Sequence, residues 1–211
     1  MTHLDTYQLR KLIPHEELDY SLLTSVLSKY TGIHQKINNL LRSGVITRIK
    51  KGLYIFGSAY NLVPVCKETL ANLIYGPSYI SLEYALAYYG LIPERVETIT
   101  SVTPKRNKEF KTPIGHFTYQ HLKIKKYPHG IQQVWIDQNH PVLMASPEKA
   151  ICDYIALNKI PDLTTPEEAK HFLESDLRIA RENLKCFDPK ILLKLNKYYR
   201  NKNIKSIMEA L

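Results

Sequence analysis

The stretch from residue 31 to residue 57, TGIHQKINNLLRSGVITRIKKGLYIFG, changes its hydrophobic period halfway along. In its first part the apolar residues recur at the i, i+4, i+7 and i+8 spacing of an amphipathic helix, and they are Ile33, Ile37, Leu40 and Leu41. Thr31 is expected to cap this helix, because a side-chain oxygen at that position accepts from a free backbone N–H group. Ser43-Gly44 is expected to end it, since glycine adopts the left-handed conformation without strain.

The second part of the stretch has the composition of a β-hairpin. Val45–Ile49 is rich in β-branched residues and predicts a strand. Lys50-Lys51-Gly52 favours a turn, and Leu53–Phe56 then predicts a returning strand.

Two shorter helices are predicted before this stretch. The first would end at Pro14, because proline disfavours helical geometry in the preceding residue, and its apolar positions are Leu4, Leu9, Leu12 and Ile13. Asp19 is expected to cap the second helix, whose apolar face would carry Leu22, Leu23, Val26 and Leu27. Three helices followed by a hairpin is the element order of a winged helix-turn-helix, which we expect for residues 1–60.

The third helix and the hairpin tip are the predicted DNA-binding site. Burying the apolar helix face leaves amide and basic side chains outward, with no acidic residue among them. Amides pair bidentately with adenine edges, and Lys or Arg reads guanine or neutralises phosphate, as a recognition helix in the major groove requires. An ordinary solvated helix face would mix both signs of charge. The predicted contact residues are Lys29, Thr31, His34, Gln35, Lys36, Asn38, Asn39, Arg42, Arg48, Lys50 and Lys51.

The charge of the chain is strongly positive and unevenly distributed. The formal net charge is +9, and no acidic residue occurs between Asp19 and Glu68 or from Phe110 to Ile136. Single-sign windows of this kind indicate a polyanionic partner. The second window contains a possible second basic surface at Lys123, Lys125 and Lys126. A strand predicted over His116–Ile124 would point the first two lysines to the same face, although a merely solvated face is the alternative.

Residues 61–211 predict a mixed α/β C-terminal domain. Short apolar or alternating runs separated by Pro and Gly indicate a β-rich centre at about residues 96–145, and a helical tail follows at about residues 146–211. Ser81 and Ser146 are expected to cap helices, the latter with proline at the first helical position. Thr165 and Glu168 have the spacing of a capping box. The fold class expected for the whole chain is therefore α+β.

Enzyme, metal and cofactor functions find little support in the sequence. Ser146 and Lys149 match an S-x-x-K nucleophile motif without its companion motifs, and a helix cap explains the serine. The pairs His116 with His121 and His129 with His140 lack further ligands at a metal-site spacing. We expect no catalytic residue, no metal and no cofactor. The sequence has no membrane-spanning run and no signal-peptide stretch. Its three cysteines are widely spaced and are expected to be buried free thiols. The protein is therefore expected to be cytoplasmic.

From Thr31 onward the sequence resembles the AbiEi-type antitoxins of type IV toxin–antitoxin systems. The stretches that carry the resemblance are Gly44–Arg48 with Lys51–Tyr54, Pro77–Leu86, Tyr89–Pro93 and Ala145–Asp153. Their order and spacing match the family over roughly residues 20 to 160, and residues 22–27 of the second helix match it loosely.

The resemblance implies a two-part function. The winged helix would repress its own operon by binding duplex DNA at the promoter, on inverted repeats, and the DNA-contact role would fall to His34, Gln35, Lys36, Asn38, Arg48 and Lys51. The C-terminal domain would counter a nucleotidyltransferase-like toxin without requiring a stable complex. We therefore expect a bacterial transcriptional regulator that acts as an antitoxin and uses no membrane. The alternative is a protein–protein interaction module whose basic surface binds an acidic partner.

Overall fold

The computed structural model describes residues 6–211, so Leu4, expected in the first helix, lies outside the described residues. The chain is mixed α+β, and it divides into two compact units between Ile74 and Tyr75. The domain boundary expected at residue 60 lies before this division. The difference has a physical reason, because the backbone N–H groups of Leu62 and Val63 donate to Glu16 of the first unit at 3.1 and 3.2 Å.

The first unit combines four helices with a small antiparallel sheet. Its elements are α1 (Thr6–Leu12), β1 (Glu17–Asp19), α2 (Tyr20–Val26), α3 (Ile33–Arg42), β2 (Ile46–Lys50), β3 (Leu53–Phe56) and α4 (Lys67–Ile74). The strand order is β1-β3-β2, so the predicted hairpin gains a third strand on its β3 side. Three residues are too few for a detectable hydrophobic period, and β1 was therefore not predicted.

The helix boundaries in the first unit agree with the predicted ones except at Thr31. Asp19 caps α2 by accepting from the N–H of Leu22 at 2.7 Å, and Ser43 and Gly44 end α3, with Gly44 at φ 72°. The prediction that Thr31 caps α3 is wrong. The capping residue is Gly32, whose left-handed backbone at φ 70° starts the helix without any side-chain cap.

A buried ion pair supplements the apolar core of the first unit. Glu16 is fully buried and accepts a hydrogen bond from the guanidinium of Arg10. The same guanidinium donates to the carbonyl of His15 at 2.9 Å and lies 4.1 Å from the centre of the Phe56 ring. The core around this pair is apolar and includes Leu9, Ile13, Leu23, Leu27, Ile37, Leu40 and Val45.

The second unit is built on a mixed six-stranded sheet. Its strands are β4 (Tyr79–Ile80), β5 (Ile99–Thr103), β6 (Lys108–Thr112), β7 (Gly115–His121), β8 (Ile131–Trp135) and β9 (Pro141–Ala145). The strand order is β6-β7-β5-β4-β9-β8, with parallel pairing between β5 and β7 and between β4 and β9. Its helices are α5 (Leu82–Tyr88), α6 (Pro147–Leu157), α7 (Pro166–His171) with a π-helical turn at Phe172–Asp176, α8 (Arg181–Leu184), α9 (Pro189–Tyr199) and α10 (Lys202–Ala210).

Strand β7 is shorter than the sequence predicts. It ends at His121, and residues 124–130 form a turn in which the N–H of Lys126 donates to the carbonyl of Lys123 at 2.9 Å. The neighbouring strand β5 ends at Thr103, and Pro104 has no N–H to continue the ladder. The expectation that Lys123 and Lys125 share one strand face is therefore wrong.

Two of the three helix caps expected in the second unit are confirmed. Ser146 accepts from the N–H of Lys149 at 3.2 Å, and Thr165 and Glu168 form the capping box. Ser81 precedes α5 but does not cap it with its side chain. Its hydroxyl instead donates to the carboxylate of Asp153 at 2.8 Å.

Asp153 and Lys149, one turn apart on α6, form a fully buried ion pair at 3.1 Å. The carboxylate also accepts from the hydroxyls of Tyr79, Ser81 and Tyr199. The ammonium donates to the hydroxyl of Tyr199 and, at 2.9 Å, to the carbonyl of Lys126. Burial lowers the pKa of Lys149, an effect that the carboxylate opposes, and it raises the pKa of both tyrosines, which therefore stay protonated donors.

We predict that Asp153→Ala destabilises the second unit by about 3–5 kcal/mol, because it leaves the Lys149 ammonium buried without its counter-charge. Urea unfolding, followed by circular dichroism and by the fluorescence of Trp135, measures the loss; this sole tryptophan lies in the second unit. The matched control is Glu209→Ala, which breaks an exposed ion pair with Lys205 and is expected to cost at most about 1 kcal/mol. Equal, small losses in both variants would contradict the prediction.

Candidate nucleic-acid interface

The exposed face of α3 contains five of the predicted contact residues. At about 100° per residue they occupy an arc of roughly 140°, while the apolar positions fall on the other side of the helix. Every one of them is solvent-exposed, and they are His34, Gln35, Asn38, Asn39 and Arg42. The helix therefore presents a continuous polar strip with amides at its centre and one guanidinium at its C-terminal end.

Side chains on this strip contact one another and α2. The amide of Gln35 donates to the Asn39 side chain at 3.3 Å, and the His34 ring stacks on Tyr20 with centroids 6.0 Å apart. Asn38 and Arg42 make no side-chain hydrogen bond or ion pair within residues 6–211. The strip is thus partly ordered and still offers unpaired donors and acceptors.

Lys36 and Arg48 lie against aromatic rings. The Lys36 ammonium is 4.5 Å from the centre of the Tyr30 ring, and the Arg48 guanidinium is 5.9 Å from that of Tyr54. Lys36 is half-buried because it lies at the edge of the apolar face of α3. Cation–π contacts of this kind hold a charge in place without neutralising it.

The hairpin turn contributes Lys51 but not Lys50. Lys51 is exposed beside Gly52, whose carbonyl accepts from the N–H of Tyr20 at 2.9 Å. A β-bulge between Arg48 and Lys50 shifts the register of the hairpin. Lys50 is half-buried, and its ammonium donates to the carbonyl of Ile74 at 2.5 Å, which differs from the expected DNA-contact role.

Lys29 and Thr31, in the segment before α3, are both exposed. Within the described residues the exposed cations of the candidate interface, Lys29, Arg42, Arg48 and Lys51, form no ion pair with a carboxylate. An interface with unneutralised cations around an amide-bearing helix matches the charge and hydrogen-bonding pattern of duplex DNA.

The second basic surface contains more residues than the sequence analysis identified. Lys123 and Lys125 are exposed in the turn after β7, and the Lys126 ammonium lies 5.2 Å from the centre of the Tyr199 ring. Lys197 and Arg200, at the end of α9, line the same groove. They are distant in sequence from the turn, and the only available signal was the high lysine content of the tail.

The histidines and the Ser146–Lys149 motif have identifiable structural contacts. His116 pairs with Glu109 and His140 with Asp137, each at 2.7 Å, while His129 stacks on Tyr198. Lys149 points its ammonium into the buried network, while Ser146 caps α6. Cys66 and Cys152 are buried as expected, but Cys186 is exposed.

Two comparisons of the sequence with known proteins found no match. No protein-family model matches the chain, and no curated protein matches it significantly. Within the described residues no group of three or more His, Cys, Asp and Glu side chains is arranged to hold a metal ion. Over the same residues no helix has the length and apolar character needed to cross a membrane.

Proposed function

We propose that this chain is a bacterial DNA-binding transcriptional regulator whose first unit acts as a winged helix-turn-helix. The observation that carries the proposal is the acid-free exposed face of α3, with its four hydrogen-bonding side chains and Arg42. In this proposal α3 lies in the major groove, and the β2–β3 hairpin is the wing that contacts the flanking backbone.

The dimensions and chemistry of α3 suit this role. Ten residues give a helix of about 15 Å, and the major groove is about 12 Å wide, so the exposed face can follow several base pairs. Gln35 and Asn38 offer amides to adenine edges, and Arg42 offers a guanidinium to guanine or phosphate.

Cations around the helix provide the sequence-independent part of the affinity. Lys36 belongs to α3 itself, Lys29 precedes the helix in sequence, and Arg48 and Lys51 follow it. Each of these four cations is available to neutralise a phosphate. Lys50 is left out of this set because the Ile74 carbonyl already accepts from its ammonium. With Arg42 the proposed interface therefore has five cations.

We further propose that the regulator is an antitoxin that represses its own operon and counters a nucleotidyltransferase-like toxin. The support is the resemblance to AbiEi-type antitoxins, and three of its stretches meet in the second unit. Tyr79 and Ser81 donate to Asp153, and the Tyr89 hydroxyl donates to the Ala145 carbonyl at 2.9 Å. The resembling residues thus include those that hold the second unit together.

We predict that the protein binds duplex DNA from upstream of its own gene with a strong salt dependence. If four or five phosphates are neutralised, the slope of log Kobs against log salt is about −4, because each phosphate contributes about −0.9. Fluorescence anisotropy over a salt series measures it. The control is Lys170→Ala, an exposed lysine of the second unit whose loss should leave the slope unchanged. A slope near zero would rule out the proposed interface.

We predict that base reading and phosphate binding separate by position. Gln35→Ala and Asn38→Ala each reduce discrimination between operator and unrelated duplex by about 1–3 kcal/mol, the value of a bidentate base contact. Lys51→Ala weakens both duplexes equally and reduces the magnitude of the slope by about one. The adjacent Lys50→Ala is the matched control, expected to leave the slope unchanged. If every variant lost operator and unrelated binding equally, α3 would not read bases, and an acidic-partner module would be favoured.

We predict that repression and antitoxin activity can be separated by mutation. The double variant Gln35→Ala/Asn38→Ala should lose repression of a reporter on its own promoter, since it lacks the base contacts. It should still protect cells that express the nucleotidyltransferase-like protein encoded beside this gene. The parent chain is the positive control and an empty vector the negative one. Failure of the parent chain to protect, or the absence of such a neighbouring gene, would refute the antitoxin part of the proposal.

A further inference from the structure

A groove in the second unit brings together basic side chains from two distant segments. One wall is the turn that follows β7, and the other is the C-terminal end of α9. The groove has a volume of about 700 Å³. Its basic side chains are Lys123, Lys125, Lys126, Lys197 and Arg200.

The charges in this groove are not balanced by the protein. No carboxylate is among its lining residues, and none of its five cations takes part in an ion pair within the described part of the chain. Like charges gathered in a concave surface repel one another and concentrate a positive potential. An anion with several regularly spaced charges relieves this repulsion more fully than a single small ion.

An exposed aromatic ring lies among the cations. Tyr198 lines the groove and is 46% exposed, and the His129 ring covers one of its faces at a centroid distance of 3.4 Å and an angle of 13°. Within residues 6–211 no other ring stacks on Tyr198. Ile124, which is 65% exposed, adds an apolar side chain to the same groove.

The combination of cations and a partly exposed aromatic ring discriminates between polyanions. A duplex keeps its bases stacked inside and presents phosphates to a groove of this kind, so neither Tyr198 nor Ile124 would gain a partner. A single strand offers phosphates and unstacked bases together, and base–aromatic stacking supplies a large share of its binding energy. An acidic peptide matches the charge but lacks the planar group.

The turn that carries three of the lysines is fixed from inside. The buried Lys149 ammonium donates to the Lys126 carbonyl, and the ring of Tyr127 packs on Tyr79 with centroids 5.1 Å apart. The carbonyl of Gly130 accepts from the N–H of Ser146 at 2.8 Å. The backbone of the groove is therefore ordered before any ligand arrives, which lowers the entropic cost of binding.

We propose that this groove binds a short single-stranded stretch of nucleic acid, with the five cations on its phosphates and Tyr198 stacked on a base. The function is separate from the duplex reading proposed for the first unit and does not depend on it.

The experiment uses the full chain and two fluorescent probes of ten nucleotides, oligodeoxyuridylate and oligouridylate. Binding is followed by fluorescence anisotropy. We expect a log–log salt slope of about −2 to −3.5, since each phosphate of a single strand contributes about −0.7. The triple variant Lys123→Ala/Lys125→Ala/Lys197→Ala should lower its magnitude by about two. The control variant Lys170→Ala/Lys185→Ala/Lys190→Ala removes the same charge from exposed positions that do not line the groove and should change nothing. Equal losses in both triple variants would overturn the proposal.

The aromatic contact has its own test. Tyr198→Ala should weaken single-strand binding by about 5- to 150-fold, and Tyr198→Phe should retain it, because stacking requires the ring and not the hydroxyl. Tyr88→Ala, at another exposed tyrosine, is the matched control. Thermal melting shows whether each variant is folded. If Tyr198→Ala has no effect, or if poly-glutamate competes as well as the oligonucleotides do, the groove is a general polyanion surface and the proposal fails.

Two further arms define the ligand and the unit that binds it. Tighter binding of oligouridylate than of oligodeoxyuridylate, which has the same base, would assign the groove to RNA through the 2′-hydroxyl. The reverse order would assign it to single-stranded DNA, and equal binding supports a site that accepts both. Arg42→Ala/Lys51→Ala, which lowers the affinity of the first unit for duplex, should leave single-strand binding intact. Loss of single-strand binding in that variant would place the site in the first unit and overturn the proposal.

Discussion

Two opposite charges with no access to water lie at the centre of the second unit. Removing a carboxylate and an ammonium from solvent costs several kcal/mol for each ion, and their mutual attraction offsets this cost only when further hydrogen bonds satisfy both groups. Asp153 receives three hydroxyl donors, and Lys149 has a hydroxyl and a carbonyl acceptor besides its partner. These bonds come from β4, the residue that precedes α5, α9 and the turn after β7. The positions of four segments are therefore coupled through one ion pair, and the sheet and the helices on it cannot shift independently.

In the first unit the buried ion pair and the candidate interface involve different residues. Its ion pair of Arg10 with Glu16 binds the connection to α4, and the buried side chains of α3 are all apolar. Because no buried polar group of α3 needs a partner inside the unit, its amides and Arg42 are left for an external ligand. The bulge in β2 separates the roles of the two lysines of the hairpin turn. Lys50 bonds to the end of α4, and Lys51 is left in solvent.

Elements with a strong local signal could be predicted from the sequence. The period of α3, the Asp19 and Ser146 caps and the Thr165 capping box depend on neighbours within four residues, and these predictions are confirmed. Features that depend on distant partners were missed. The end of β7 is set by Pro104 beside the adjacent strand, the hydroxyl of Ser81 is taken by Asp153, and Lys197 reaches the lysine turn only through the packing of α9. At the candidate interface the exposed residues of α3 could be predicted from the helical period. The hydrogen bond of Lys50 to Ile74 could not be predicted, because it depends on the register of the hairpin.

The anchoring of the lysine turn by Lys149 divides the second unit into parts with different freedom to evolve. Substitutions at exposed lysines such as Lys123 and Lys125 change stability little, so selection can add, remove or move charges there one at a time. The ion pair beneath them tolerates almost no change, since either partner alone is an uncompensated buried charge. During evolution the exposed lysines of the groove, and so the ligand that it binds, can change while the buried network of Lys149 and Asp153 stays constant. Relatives of this chain would then share the interior of the second unit far more closely than its surface.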